Sequence, residues 1–276
     1  MLGKTFEFGF VLVCGVKLAF AESQPNQMQN FSENGVTFTY DRSYFETAKL
    51  FQLPRKAEVK NEMPVNVGPP RFRLQLLHPP RSTWSPDRPR YFQPSYSTIY
   101  ITPLSDIGVP DFQRAYPRLV ENHRNLQVLL ESHPTDLNRH YKEIFKRTLQ
   151  YELPDEPFNN AGAALLARSR FLHLRWGTGV RFLTYYQQGK TGYGATNAEL
   201  FYNFQGVTPD NHYYVSARLA VRHSALPDSI DDPHASSEGT EEENRAEYER
   251  INSWNDETFL PKLTDLDDMI GSLRIK

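Results

Sequence analysis

Four side chains, Arg175, Arg181, Gln205 and Arg218, are the candidates for binding chemistry in this sequence. They fall in RWGTGVRFLTYY (175–186), FYNFQGV (201–207) and YYVSARLA (213–220), where apolar and polar residues alternate. Period-two alternation marks half-buried strands and fixes which residues share a face. Gly177-Thr178-Gly179 reads as the tight turn of a hairpin. If Trp176 then opposes Val180, Arg175 lies directly across from Arg181. The same alternation puts Glu199, Gln205 and Arg218 on that side. Like charges directly opposite destabilise a strand pair, so the two guanidiniums call for something anionic between them. An internal carboxylate would make the cluster structural, and that is the expectation. A bound anionic ligand or an acidic partner segment would make it functional.

Other chemistry leaves little trace. There is no Gly-x-Ser-x-Gly, no His-Glu-x-x-His and no Gly-x-Gly-x-x-Gly. GKTGYG (189–194) contains Gly-Lys-Thr but lacks the earlier glycine of a phosphate loop, so it reads as a connecting loop. The 8 histidines are scattered, and His133 and His140 lack the spacing that puts two ligands on one helical turn. The single cysteine, Cys14, lies in the N-terminal apolar run. These patterns imply no cofactor, no metal and a non-catalytic binding or accessory role. The alternative is an extracytoplasmic hydrolase whose site is assembled from distant residues.

The address is read from the first residues. Lys4, an apolar run from Phe8 to Phe20 and Ala19-Phe20-Ala21 form an export signal with cleavage after Ala21. A lipid anchor at Cys14 is not expected, because Val13 before it is too large for such sites. The full chain has a net charge of −2. Removing residues 1–21 leaves about −3, which gives no basis for nucleic-acid binding. A periplasmic or extracellular address follows, with an anionic ligand or an envelope protein as the class of partner.

The elements that must hold these side chains follow from periodicity. The expected fold is α+β: a single antiparallel sheet with helices packed on it, within one globular domain over 22–276. Strands are predicted at 31–40, with a turn at Asn34-Gly35, and at 71–77, 97–102, 168–176, 180–186, 199–206 and 213–222. One apolar face is expected to join Leu174, Phe182, Tyr202 and Val215. Helical spacing runs from Pro110 to His133 with a break at Pro117, and again over 137–150. Residues 78–97 hold five prolines among aromatic residues and read as a loop. Residues 228–249 carry nine acidic residues against Arg245 and read as a solvated insert. Residues 261–271 predict a helix with Leu263, Leu266, Met269 and Ile270 inward, followed by a last short strand.

Two resemblances rest on particular blocks. GVTFTYDRS (35–43), GTGVRFLTYY (177–186), ELFYNFQGVT (199–208), YYVSARLAVRHSALP (213–227) and FLPKLTDLDDMIGSL (259–273) are similar to a group of uncharacterised exported bacterial proteins of cyanobacteria and filamentous phototrophs. That likeness spans most of the mature chain and implies no catalytic residue. Phe38-Thr39-Tyr40 and Met269-Ile270-Gly271-Ser272-Leu273 more loosely resemble the two ends of the PsbP-type extrinsic photosystem subunit fold, an α/β/α sandwich. The proline-rich loop and the acidic insert depart from its compact form.

Overall fold

The computed structural model describes residues 27–55, 68–78, 96–135, 137, 162–163, 165–187, 194–229 and 241–276. The signal (1–21), most of the proline-rich loop, most of the second predicted helix, GKTGYG up to Tyr193 and the middle of the acidic insert lie outside these residues.

The chain opens with β1 (Met28–Glu33) and β2 (Val36–Asp41), paired around Asn34 and Gly35. Both turn residues have positive φ, as expected of an Asn-Gly turn. β3 (Thr47–Leu53), β4 (Arg71–Leu77) and β5 (Tyr96–Pro103) follow. Helices α1 (Pro110–Ala115) and α2 (Pro117–Ser132) come next. Each begins on a proline, which suits the first helical position, where its missing N–H has no intrahelical partner anyway. His133 ends α2 in the left-handed conformation.

Next come β6 (Gly162–Ala163), β7 (Ala167–Leu174), β8 (Gly177–Thr184), β9 (Tyr186–Gln187), β10 (Phe201–Val207), β11 (Tyr213–Ala220) and β12 (Arg222–His223). The chain closes with α3 (Glu241–Ser253), a 3₁₀ turn (Asp256–Thr258), β13 (Phe259–Leu260), α4 (Leu263–Gly271) and β14 (Arg274–Ile275).

The α+β class holds, but the expectation of a single sheet does not. A seven-stranded antiparallel sheet runs β3-β4-β5-β11-β10-β8-β7, and β1-β2-β14 form a separate three-stranded sheet. Two further strand pairs, β12-β13 and β6-β9, stand apart. The reason is burial: Val36, Phe38 and Tyr40 of β2 pack flat on the large sheet instead of extending its edge. The same apolar layer takes Leu263, Leu266, Met269 and Ile270 of α4, the inward set that the spacing of 261–271 predicts.

The hairpin register also differs from the expectation. Leu174 pairs with Gly177, Phe171 with Val180 and Arg170 with Arg181, so the turn is Arg175-Trp176 and Arg175 does not face Arg181. Gly177 and Gly179 lie inside β8. A Cβ on Gly179 would sit 2.3 Å from the Phe204 ring, and one on Gly177 would sit 2.1 Å from the Val207 carbonyl oxygen. These glycines provide clearance for β10 and its aromatic ring; they do not make the turn.

Shifting the register sorts the side chains differently, because neighbouring positions point to opposite faces. Phe182 is buried as expected, yet it pairs with Asn203 and packs with Val180, Tyr214 and the α1–α2 residues Phe112, Leu119, Leu126 and Leu129. Tyr202 and Val215 lie on the opposite face, with β2 and α4. The one apolar face expected for Leu174, Phe182, Tyr202 and Val215 is therefore two faces. The sheet has a helix face (α1, α2) and a clamp face (α4 and the small sheet).

Candidate functional site

The four sequence candidates are dispersed. Arg175 is exposed in the β7–β8 turn, while its neighbour Trp176 donates Nε1–H to the Ile270 carbonyl of α4 at 2.8 Å. Arg181 points to the clamp face, opposite Phe204. Gln205 and Arg218 point to the helix face, where Gln205 pairs with Val180 and Arg218 with Asn203. A shared patch of Arg175, Arg181, Gln205 and Arg218 is thus corrected by register. Glu199 belongs to the turn before β10 and does not stand across from Arg218 in the ladder.

Arg181 is the most deeply buried cation described, with 1% of its side chain exposed. It donates Nη1–H to the Arg168 carbonyl at 2.9 Å and Nη2–H to the Asp256 carboxylate. Its Nε lies at ion-pair distance, 3.4 Å, from Asp267 Oδ1, which accepts a hydrogen bond from Tyr202 OH at 2.8 Å. Arg168 has positive φ beside a bulge in β7. That backbone bend lets its guanidinium reach Asp256 (Nε–H at 2.9 Å) and the Asn252 carbonyl at the end of α3 (2.7 Å). Arg170 stands 3.8 Å from Asp267.

The anion demanded by two facing guanidiniums is therefore internal, supplied by Asp256 and Asp267. It faces the pair Arg170–Arg181. Burial raises the Asp267 carboxyl above its ordinary range, and the Arg181 guanidinium counters this only in part. Burial, then the Asp267 charge, pushes the Tyr202 phenol well up, so it stays a hydrogen-bond donor. The work of this cluster is to bolt the 3₁₀ turn and α4 onto β7 and β8.

Beside the bolt lies an open groove of about 910 Å³ between β7 and α4. Arg170, His173, Arg175 and Arg274 rim it with exposed side chains, and Asp267, Asp268 and Thr264 line the α4 wall. β7 ends the strand order of the large sheet, so one of its backbone edges faces away from the ladder.

A serine–histidine pair bears on the hydrolase alternative. His78 Nε2 is 3.0 Å from Ser97 Oγ. Ser97 is buried, and its Oγ accepts the Ala220 N–H at 3.0 Å. That leaves the hydroxyl hydrogen to donate to Nε2, which needs a neutral imidazole. Burial lowers the His78 pKa to about 4, consistent with that role. A hydroxyl so enclosed joins strands; it does not attack a substrate.

On the helix face, Gln205 Nε2–H donates to Asn203 Oδ1 at 2.7 Å, and Asn203 Nδ2–H donates to Tyr186 OH at 2.7 Å. Tyr214 OH donates to Gln205 Oε1. The Arg218 guanidinium stacks 4.1 Å from the Tyr186 ring centroid. Sequence reasoning missed Arg168, Asp256, Asp267, Asn203 and Tyr214. Only Asn203 and Tyr214 carried a signal, as polar or half-polar positions inside alternating strands. No family model matches the chain, and no curated protein matches it.

Proposed function

We propose that the chain is a non-catalytic exported binding or accessory protein of the bacterial envelope, and that it receives an extended acidic segment of an envelope partner along β7. The observation that carries this is the β7–α4 groove, rimmed by Arg170, His173, Arg175 and Arg274 beside an edge strand. An added strand takes its affinity from main-chain hydrogen bonds and its specificity from alternate side chains. Acidic side chains at alternate positions would meet the rim cations. Ala19-Phe20-Ala21 after its apolar run supports export.

The finer fold reading is a PsbP-type sandwich. Support comes from α1 and α2 on one face of the large sheet, and from α4 leading into the short final strand β14 on the other.

The test is fluorescence anisotropy with a dye-labelled alternating Glu-Val peptide and its Lys-Val counterpart. The acidic peptide should bind with an affinity that falls as salt rises. Replacing Arg170, Arg175 and Arg274 by Gln together should weaken it by about tenfold or more, which is about 1.4 kcal/mol. Equal binding of both peptides, or none of the acidic one, would refute the reading.

A further inference from the structure

The β7–α4 groove carries charge of both signs, and its carboxylates do different work. Thr264, Asp267, Asp268 and Gly271 line it from α4 at i, i+3, i+4 and i+7, the spacing of one helical face. The other polar groups of this wall are engaged inside the protein. Thr264 Oγ1 donates to Glu257 at 2.5 Å. Asp267 faces Arg181, Tyr202 and Arg170. Ser272 Oγ, just past α4, accepts the Thr39 N–H at 2.9 Å and donates to the Met269 carbonyl at 2.7 Å. Asp268 is exposed, and its side chain makes no ion pair or hydrogen bond among the described residues.

The two walls meet on either side of Asp268. Arg170 stands 3.8 Å from Asp267 at one end. At the other, a Cβ on Gly271 would sit 3.6 Å from Leu174 Cδ2, and Trp176 Nε1–H donates to the Ile270 carbonyl. Asp268 is therefore level with β7 between Arg170 and Leu174, within the reach of a segment laid along that strand.

β7 sorts its side chains between two sides. Leu172 belongs to the clamp-face core, while the His173 ring lies 5.8 Å from that of His133 at the end of α2. A strand added beside β7 alternates in the same way. Its side chains on the helix side pass His173 and Arg175, which suits acidic residues. Those on the clamp side enter the groove and come up to α4. There an acidic residue opposite Asp268 would be repelled, whereas a basic one would supply its missing counter-ion. Arg170 does not supply that charge, because it is drawn to Asp267.

We propose that Asp268 sets the sequence preference of the groove: the acidic segment received there carries one lysine or arginine, flanked by acidic residues, whose cationic head pairs with Asp268. This rests on the reading of β7 as the acceptor of an extended acidic segment. The pleat sorts the neighbouring opposite charges, acids toward the rim cations and the base toward α4.

Fluorescence anisotropy with the alternating Glu-Val peptide and its single-site derivatives tests it. Each valine in turn is replaced by Lys, and by Gln as the uncharged control. At one position Lys should tighten binding by about threefold or more over Gln, the size of an exposed ion pair. Asp268→Asn, an exposed change that should leave Tm unaltered, should erase that gain. It should leave binding of the Glu-Val peptide unchanged or tighter, because a carboxylate that repels acidic ligands is gone. Glu-Val binding without a Lys gain at any position, or a gain that survives Asp268→Asn, overturns the role of Asp268 and leaves the acidic-segment reading standing. Lys peptides that bind through Asp268 while the Glu-Val peptide does not bind keep the Asp268 pairing and refute the need for acidic residues alone. Failure of every peptide to bind overturns both.

Discussion

The two faces of the seven-stranded sheet handle buried charge in opposite ways. On the clamp face, Arg181 is enclosed by Asp256, Asp267, Tyr202 and the Arg168 carbonyl, so charge meets charge. Unpartnered polar atoms occur on both faces among the described residues, Arg181 Nε and Asp267 Oδ2 on the clamp face and Arg73 Nε, Thr102 Oγ1 and Ser216 Oγ on the helix face, but on the helix face β4, β5, β11 and β10 supply cations without carboxylates. Neighbouring residues of one strand, Arg181 and Phe182, go to different faces. The lesson is that an arginine in an alternating strand has no role until its register is known. One face spends its arginine on fastening α4 and the 3₁₀ turn; the other rests its arginines on aromatic rings, Arg73 on Phe51 and Arg218 on Tyr186.

The largest expected effect lies on the clamp face. Arg181→Gln should destabilise by about 3–5 kcal/mol, because it leaves Asp256 and Asp267 buried without their cation. Urea denaturation checks it, and a loss below about 0.5 kcal/mol would erase the contrast between the faces.

The second effect is a pH dependence on the same face. His78 titrates at about 4 in the fold, against roughly 6.5 unfolded. The unfolded chain therefore binds the extra proton first as pH falls. Stability from this group is complete above about pH 6.5 and is lost on descending to about pH 4, by up to about 3 kcal/mol. His123 and His223, also lowered by burial, act in the same direction. In His78→Gln the fall between those pH values should shrink. An identical pH profile for the variant and the parent would contradict the buried neutral imidazole.

How much of this was legible in the sequence depended on whether the signal was periodic. The inward residues of α4, the break at Pro117 and the Asn34-Gly35 turn each follow from local chemistry, and each is present. β3 was not read, since TAKLFQL alternates poorly: none of its residues is fully buried, and the exposed ones, Lys49 and Gln52, are three apart. Gly177-Thr178-Gly179 was misread because glycine serves both turns and close approach. Only the Phe204 ring, far along the chain, tells the two apart. Arg181 was found, yet Asp256 and Asp267 sit 75 and 86 residues away, where no spacing rule links them. The acidic run at 228–249 read as solvated; in the fold its last part lies in α3, whose Glu247 accepts from the Ala195 N–H at 2.6 Å and from Tyr185 OH at 2.9 Å.

A smaller effect sharpens the register itself. Gly179→Ala should destabilise by about 1–3 kcal/mol, through overpacking against Phe204. A turn glycine would respond through its backbone instead, so Phe204→Leu combined with Gly179→Ala should recover part of the loss. No recovery by thermal melting would return Gly179 to the turn.

The smallest effect belongs to Arg175. Exposed in the β7–β8 turn, it should tolerate Gln within about 0.5 kcal/mol, measured by the same urea titration. A larger loss would mean that Arg175, not Arg170, lies against the clamp.

The central claim is that register sends Arg181 into the carboxylates of the clamp. A double-mutant cycle of Arg181→Gln and Asp256→Asn in urea measures that contact directly. The predicted coupling is about 1–3 kcal/mol, so the double variant is more stable than the sum of the single losses implies. Losses that add to within about 0.5 kcal/mol would show that the two side chains do not meet, and would contradict the account.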